Sequence, residues 1–145
     1  MPRSTYEFQT EISERHLNEL HVLYQGEWWT RGRTLDEVKT MLERSNLVFA
    51  LCDTFSGRLV AFARVLTDGI FKAFIFDVIV APDVRNEGLG KRLMEAIANC
   101  PDLKDVRHLE LYCLPELVPF YEKLGFSTDV SGVRLMRKRN IKDKT

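Results

Sequence analysis

Apolar and polar positions follow two rhythms along this chain, one helical and one strand-like, and the changes of rhythm mark its elements. Glu7-Phe8-Gln9-Thr10 reads as a short first strand. From Ser13 to Gln25, Leu17, Leu20, Val22, Leu23 and Tyr24 fall mostly on one helical face, and Gly26 ends the helix. A second helix opens at Thr34-Leu35-Asp36-Glu37, a capping box in which Thr34 and Glu37 satisfy each other's free backbone donors. Val38, Met41 and Leu42 give it an apolar stripe. Leu47 to Cys52 is a strand, Phe55-Ser56-Gly57-Arg58 a turn, and Leu59 to Leu66 the next strand. Asp68-Gly69 turns the chain into a third run, Phe71 to Val80. That run is almost wholly apolar, as a central strand covered on both faces requires, and Asp77 is its exception.

Beyond Ala81-Pro82 a loop leads into a helix from Gly88 to Ala98, with Leu89, Leu93 and Ile97 in register and Pro101 past its end. Val106 to Cys113 is another strand and Leu117 to Leu124 an amphipathic helix closed by Gly125. Two short strands surround Ser131-Gly132. The order predicts an α/β fold with a mixed central sheet flanked by helices, hairpins early and crossover helices late.

Composition narrows the function classes. At 145 residues the chain has room for one domain, and 45% apolar with 29% charged residues is a globular balance. Lys and Arg equal Asp and Glu at 21 each, which speaks against nucleic acid or an anionic membrane as the main partner. No apolar run approaches the ~20 residues of a membrane helix, and Met1-Pro2-Arg3-Ser4-Thr5-Tyr6 lacks a signal peptide's apolar core. Cys52, Cys100 and Cys113 are scattered, and His16, His21 and His108 have no metal-ligand spacing. No metal is expected, and a reducing, cytoplasmic setting is. The domain is expected to span 1–138, with residues 139–145 as a basic tail.

The candidate chemistry lies in Asp77-Val78-Ile79-Val80-Ala81-Pro82-Asp83-Val84-Arg85-Asn86-Glu87-Gly88-Leu89-Gly90-Lys91, a buried strand running through a glycine-bearing loop into a helix. Free N–H groups and the positive end of a helix dipole suit a pyrophosphate there, and glycines leave the backbone open to it. A P-loop needs four residues between its glycines and then Lys-Ser/Thr, whereas Gly90-Lys91 is followed by Arg92. The dinucleotide fingerprint lacks its third glycine, because Leu93 stands there. Arg-x-x-Gly-x-Gly is met in full by Arg85, Gly88 and Gly90. A turn that merely starts a helix is the competing reading.

This segment resembles the coenzyme A signature of the GNAT superfamily of N-acetyltransferases. Pro119-Phe120-Tyr121-Glu122-Lys123-Leu124-Gly125-Phe126 is similar to that family's C-terminal Phe-Tyr-x-x-x-Gly-Phe element, and the two occur in the family's order. The resemblance implies acetyl-CoA as cosubstrate and a splayed strand at the cofactor site. The pantetheine arm would lie along Val78, Ile79 and Val80. The pyrophosphate would rest on the backbone of Arg85, Asn86, Glu87, Gly88, Leu89, Gly90 and Lys91. A bound amine would attack the thioester directly, with a backbone N–H near Ile79 stabilising the oxyanion.

The resemblance also assigns Tyr121 as the acid that protonates the leaving thiolate, against a plain reading as a core tyrosine. An alkylammonium of pKa about 10.4 must lose a proton first. Asp77 is the candidate base, ahead of Glu27 and Asp68, with burial expected to raise its pKa; the alternative is a structural Asp77, bonded to backbone or paired with Arg64. Trp28, Trp29 and Arg33 fall where the family edges its acceptor site, and the tryptophans equally suit a core. The acceptor is a small-molecule, peptide or protein amine, and pairing of edge strands into a homodimer is the partner the resemblance adds. Two rivals stand beside this reading: transfer of a longer acyl group, and an acyl-CoA-binding or regulatory module without turnover.

Overall fold

Two aspartate-led turns set the antiparallel half of the sheet in the computed structural model, which describes residues 5–141. Residues 1–4, where the leader reading begins, and 142–145, the end of the basic tail, lie outside the described residues. Asp53 Oδ1 accepts from the Phe55 and Ser56 amides at 2.8 and 3.0 Å. Asp68 Oδ1 accepts from the amides of Ile70, Phe71 and Lys72 at 2.9, 2.8 and 3.2 Å. These side chains close the turns by mimicking a backbone acceptor.

The strands are β1 (Tyr6–Gln9), β2 (Leu47–Asp53), β3 (Leu59–Thr67), β4 (Lys72–Val80) and β5 (His108–Glu110). They lie in chain order across one sheet, antiparallel from β1 to β4 and parallel between β4 and β5. Among the described residues four α-helices flank them: α1 (Glu14–Gln25), α2 (Leu35–Arg44), α3 (Leu89–Ala98) and α4 (Val118–Glu122). The expected α/β class and mixed sheet are what the chain forms.

Each face of the sheet carries its own core. On one, Leu20 and Tyr24 of α1 and Val38 of α2 pack on Ala50, Phe62 and Ile79. On the other, Leu89, Leu93, Met94 and Ile97 of α3 cover Leu51, Ala61, Ala63, Val65 and Ile75. Each large side chain so buried contributes about 1.5–3 kcal/mol. Val22, read as part of the apolar face of α1, is exposed instead.

The predicted hairpin around Ser131-Gly132 does not form. Ser131 and Gly132 do turn the chain, at φ 58° and 78°, but the flanking residues are not strands. Val133, Leu135 and Met136 are exposed, and a two-stranded ribbon with no apolar surface under it is marginal in water. Two elements are shorter than read. α4 starts only after a 3-10 turn at Pro115–Leu117, and Pro119 supplies no amide to extend it. The fifth strand pairs with β4 only over Lys72–Phe74. From Ile75 to Val80, β4 runs on while the chain after β5 departs from it, and this is the splay.

Candidate active site

A bulge in β4 aims the central acid. Arg64 lies opposite Phe76 and Phe62 opposite Ile79, so Asp77 and Val78 together oppose Ala63. Asp77 takes φ 58°, a left-handed conformation that Asp tolerates better than branched residues do. Phe76, Asp77 and Ile79 consequently share the α1–α2 face. There Asp77, with a side chain 5% exposed, accepts from Arg33 Nη1 at 2.7 Å and Nη2 at 3.3 Å. Arg64 Nε donates to it at 2.8 Å and the Tyr24 hydroxyl at 3.2 Å.

Burial pushes the Asp77 carboxyl up, but the Arg33 and Arg64 guanidiniums outweigh it and hold the group below the ordinary carboxylate range. The expectation that burial raises this pKa is therefore corrected. Asp77 is an ionised strut between two cations, and a carboxylate held so low is a poor proton acceptor at neutral pH. Arg33, read as an acceptor-binding residue, spends both terminal nitrogens on it. The structural alternative weighed for Asp77, pairing with Arg64, is the observed geometry, and Arg33 and Tyr24 complete it.

The loop between α1 and α2 is pinned by Thr30, whose buried hydroxyl donates to Tyr24 O at 2.7 Å. Trp28 and Trp29 remain 62% and 36% exposed, so they do not close the core. Past Arg64, which stacks on Phe76 at 4.8 Å, lies an aromatic wall that the sequence reading did not pick out. Phe74 is 4.8 Å from Phe76 and 5.5 Å from Tyr112, ring centre to ring centre. Its signal in the sequence was Phe74 and Phe76 two residues apart on one strand; Tyr112 joins them only through the β4–β5 pairing.

The phosphate-like loop has the backbone that its glycines suggest. Asn86 and Gly88 adopt φ 68° and 78°, a pattern that turns successive N–H groups toward one side. α1 and α2 begin with capping boxes, Ser13–His16 and Thr34–Glu37, whereas no side chain caps α3. A Cβ at Gly88 would meet nothing within 4 Å, so this end of the helix is open to a ligand. The Glu87 side chain is turned away, accepting from the Tyr6 hydroxyl at 3.0 Å, and Leu89 is buried; both offer only backbone. Lys91 lies 3.7 Å from Glu95 on the first turn of α3. Arg85 donates to Glu27 at 2.7 Å and to Val80 O at 3.3 Å.

α4 bridges this loop and the splay. The place of a Cβ on Gly90 lies 3.5 Å from the Phe120 ring and 4.0 Å from Val80. Tyr121 is buried edge-on to Phe120 and Phe126. Burial and the neighbouring Cys113, on the segment that leaves β5, push its phenol up to about 12.

The family profile described as "Acetyltransferase (GNAT) domain" matches residues 43–128. The chain belongs to the GNAT superfamily of N-acetyltransferases. It is 36% identical over 123 residues to the protein named "Uncharacterized N-acetyltransferase ycf52" of Porphyra purpurea, covering 83% of this chain and 70% of that one. It is 37% identical over 106 residues to "Serotonin N-acetyltransferase 2, chloroplastic" of Oryza sativa subsp. japonica, covering 72% and 53% respectively. A GNAT-family crystal structure from Xanthomonas campestris superposes with a TM-score of 0.78 at 30% identity, covering 96% and 94%. The open α3 terminus, the splay of β4 and the cations Arg85 and Lys91 beside them would fit an acyl-CoA. Among the described residues no group of three or more His, Cys, Asp and Glu side chains is arranged to hold a metal ion. No helix there is long and apolar enough to cross a membrane.

Proposed function

We propose that this GNAT protein transfers the acetyl group of acetyl-CoA to a primary amine by direct attack in a ternary complex. One observation carries the reading: the splayed end of β4 leads into an uncapped, left-handed loop at the start of α3, with Phe120 close to Gly90 there and buried Tyr121 edge-on to Phe120. Acetyl-CoA supplies the activated acyl carbon as a thioester. Backbone groups of Val78, Ile79 and Val80 align the pantetheine arm as an added strand, and the amides from Arg85 to Lys91 receive the pyrophosphate. An N–H beside Ile79 stabilises charge on the carbonyl oxygen. Tyr121, protonated across the neutral range, donates to the departing thiolate of pKa about 8.5.

The acceptor lies on the α1–α2 face of β4, edged by Trp28 and Trp29 and backed by Phe74, Phe76 and Tyr112. Arg33 and Arg64 shape this side through Asp77. Such a wall favours an amine carried on an aromatic group, in line with the name of the rice relative. Three free cysteines suit a reducing compartment such as the cytoplasm; the rice relative's name places that protein in the chloroplast.

The test is CoA release from acetyl-CoA across a panel of amines: serotonin, 2-phenylethylamine, an alanyl peptide and a lysine side-chain peptide. Turnover of the aryl amines above the peptides supports the acceptor class. Stabilisation by acetyl-CoA with no release for any amine overturns the enzyme reading in favour of a binding module.

A further inference from the structure

Arg85 holds two groups that the cofactor and the acceptor would each need. Its Nε satisfies the carbonyl of Val80 on the splayed end of β4, and its Nη2 grips Glu27 at 2.7 Å. A cofactor arm lying along the splay as an added strand needs strand carbonyls such as that of Val80. The pyrophosphate that follows it competes for the same guanidinium. The Arg85–Glu27 pair, with side chains 50% and 24% exposed, is the kind of partly solvated ion pair that is readily exchanged. When Arg85 turns to a phosphate, the Glu27 carboxylate loses its partner.

Glu27 is well placed for a second use. It is the sole acidic residue between Gly26 and Thr34 and directly precedes Trp28 and Trp29. It stands one guanidinium away from the carbonyl of Val80. Asp77, on the same side of the sheet, is already shared by two arginines, so that cluster carries net positive charge and repels an ammonium ion. Resting on the acetyl-CoA reading above, we propose that Glu27 is the carboxylate that receives the acceptor's ammonium group, and that cofactor binding frees it by drawing Arg85 away. The acceptor is then a cationic amine that enters after the cofactor, and Glu27 positions it beside the tryptophans.

The test exploits the fact that the chain's two tryptophans follow Glu27 at positions 28 and 29. CoA alone is titrated into wild type and Glu27→Gln while tryptophan emission is followed. Steady-state kinetics use 2-phenylethylamine as acceptor. Wild type should change its emission on binding CoA. Glu27→Gln, with Arg85 no longer held, should bind CoA two- to fivefold more tightly, the worth of such a pair. Its KM for the amine should rise about tenfold, the scale of one lost charge-assisted hydrogen bond, with kcat moved less, and Glu27→Asp should recover part of that rise. A residue that merely braces the loop would weaken both ligands. Glu27→Gln that binds CoA no tighter, or keeps the wild-type KM, overturns the inference, as does wild type that binds CoA with unchanged emission. Wild type that ignores CoA altogether overturns the cofactor reading and this inference together.

Discussion

Replacing Asp77 by Asn separates a strut from a base. The substitution keeps the shape and a residue type that tolerates φ 58°, so backbone strain does not enter. What it removes is the charge that three side chains share, at 2.7 and 3.3 Å from Arg33, 2.8 Å from Arg64 and 3.2 Å from Tyr24. Two guanidiniums are left without a counterion. Breaking a buried pair costs about 3–5 kcal/mol. Because the Arg33 side chain is 31% exposed, water recovers part of this, and a loss of about 3 kcal/mol is expected. For a chain of this size that lowers Tm by roughly 6–12 °C.

The pH dependence follows from the same contacts. The Asp77 carboxyl has a folded pKa below its unfolded value near 3.9. Its stabilisation is therefore complete above the unfolded pKa and is lost as pH falls through the folded one. The gap between wild type and Asp77→Asn should be full at pH 7 and shrink below about pH 3.9. Thermal melts of both proteins from pH 7 down to pH 3 measure it, with activity assayed alongside. Coincident melts at pH 7, together with an activity loss that high pH restores, would refute the strut and return Asp77 to the role of base.

Tyr121→Phe keeps the ring against Phe120 and Phe126 and removes only the oxygen. Melting temperature and acetyl-CoA affinity should stay near native while kcat falls by roughly 10²-fold, the scale of a lost general acid. Since the phenol is pushed up to about 12, wild-type kcat should show no Tyr121-dependent fall between pH 8 and 10; a fall there that Tyr121→Phe abolishes would contradict its burial. Gly88→Asp places a carboxylate at the open start of α3 and also strains φ 78°. Calorimetry should find acetyl-CoA stabilising wild type by mass action and leaving the variant unchanged; equal binding by both would move the pyrophosphate elsewhere.

Local chemistry in the sequence determined the α/β class, the helix starts and turns, and the loop from Arg85 to Lys91. The Thr34–Glu37 box, the Asp68 turn and the left-handed Gly88 each depend on residues a few positions apart, so their signals survive without the fold. The GNAT assignment was legible for the same reason, because its two motifs are short and contiguous. Tertiary structure alone decided what happens where distant segments meet. The bulge that turns Asp77 onto the α1–α2 face, the arginines 44 and 13 residues away that hold its proton off, and the aromatic wall completed by Tyr112 arise from β-sheet register. The clasp of Arg85 on Glu27 spans 58 residues. The hairpin that fails after Ser131 shows the converse: its alternating pattern permits strands, but a strand persists only where another element covers its apolar side. Burial and pairing set a side chain's charge state and partners, and neither is a property of neighbours in sequence.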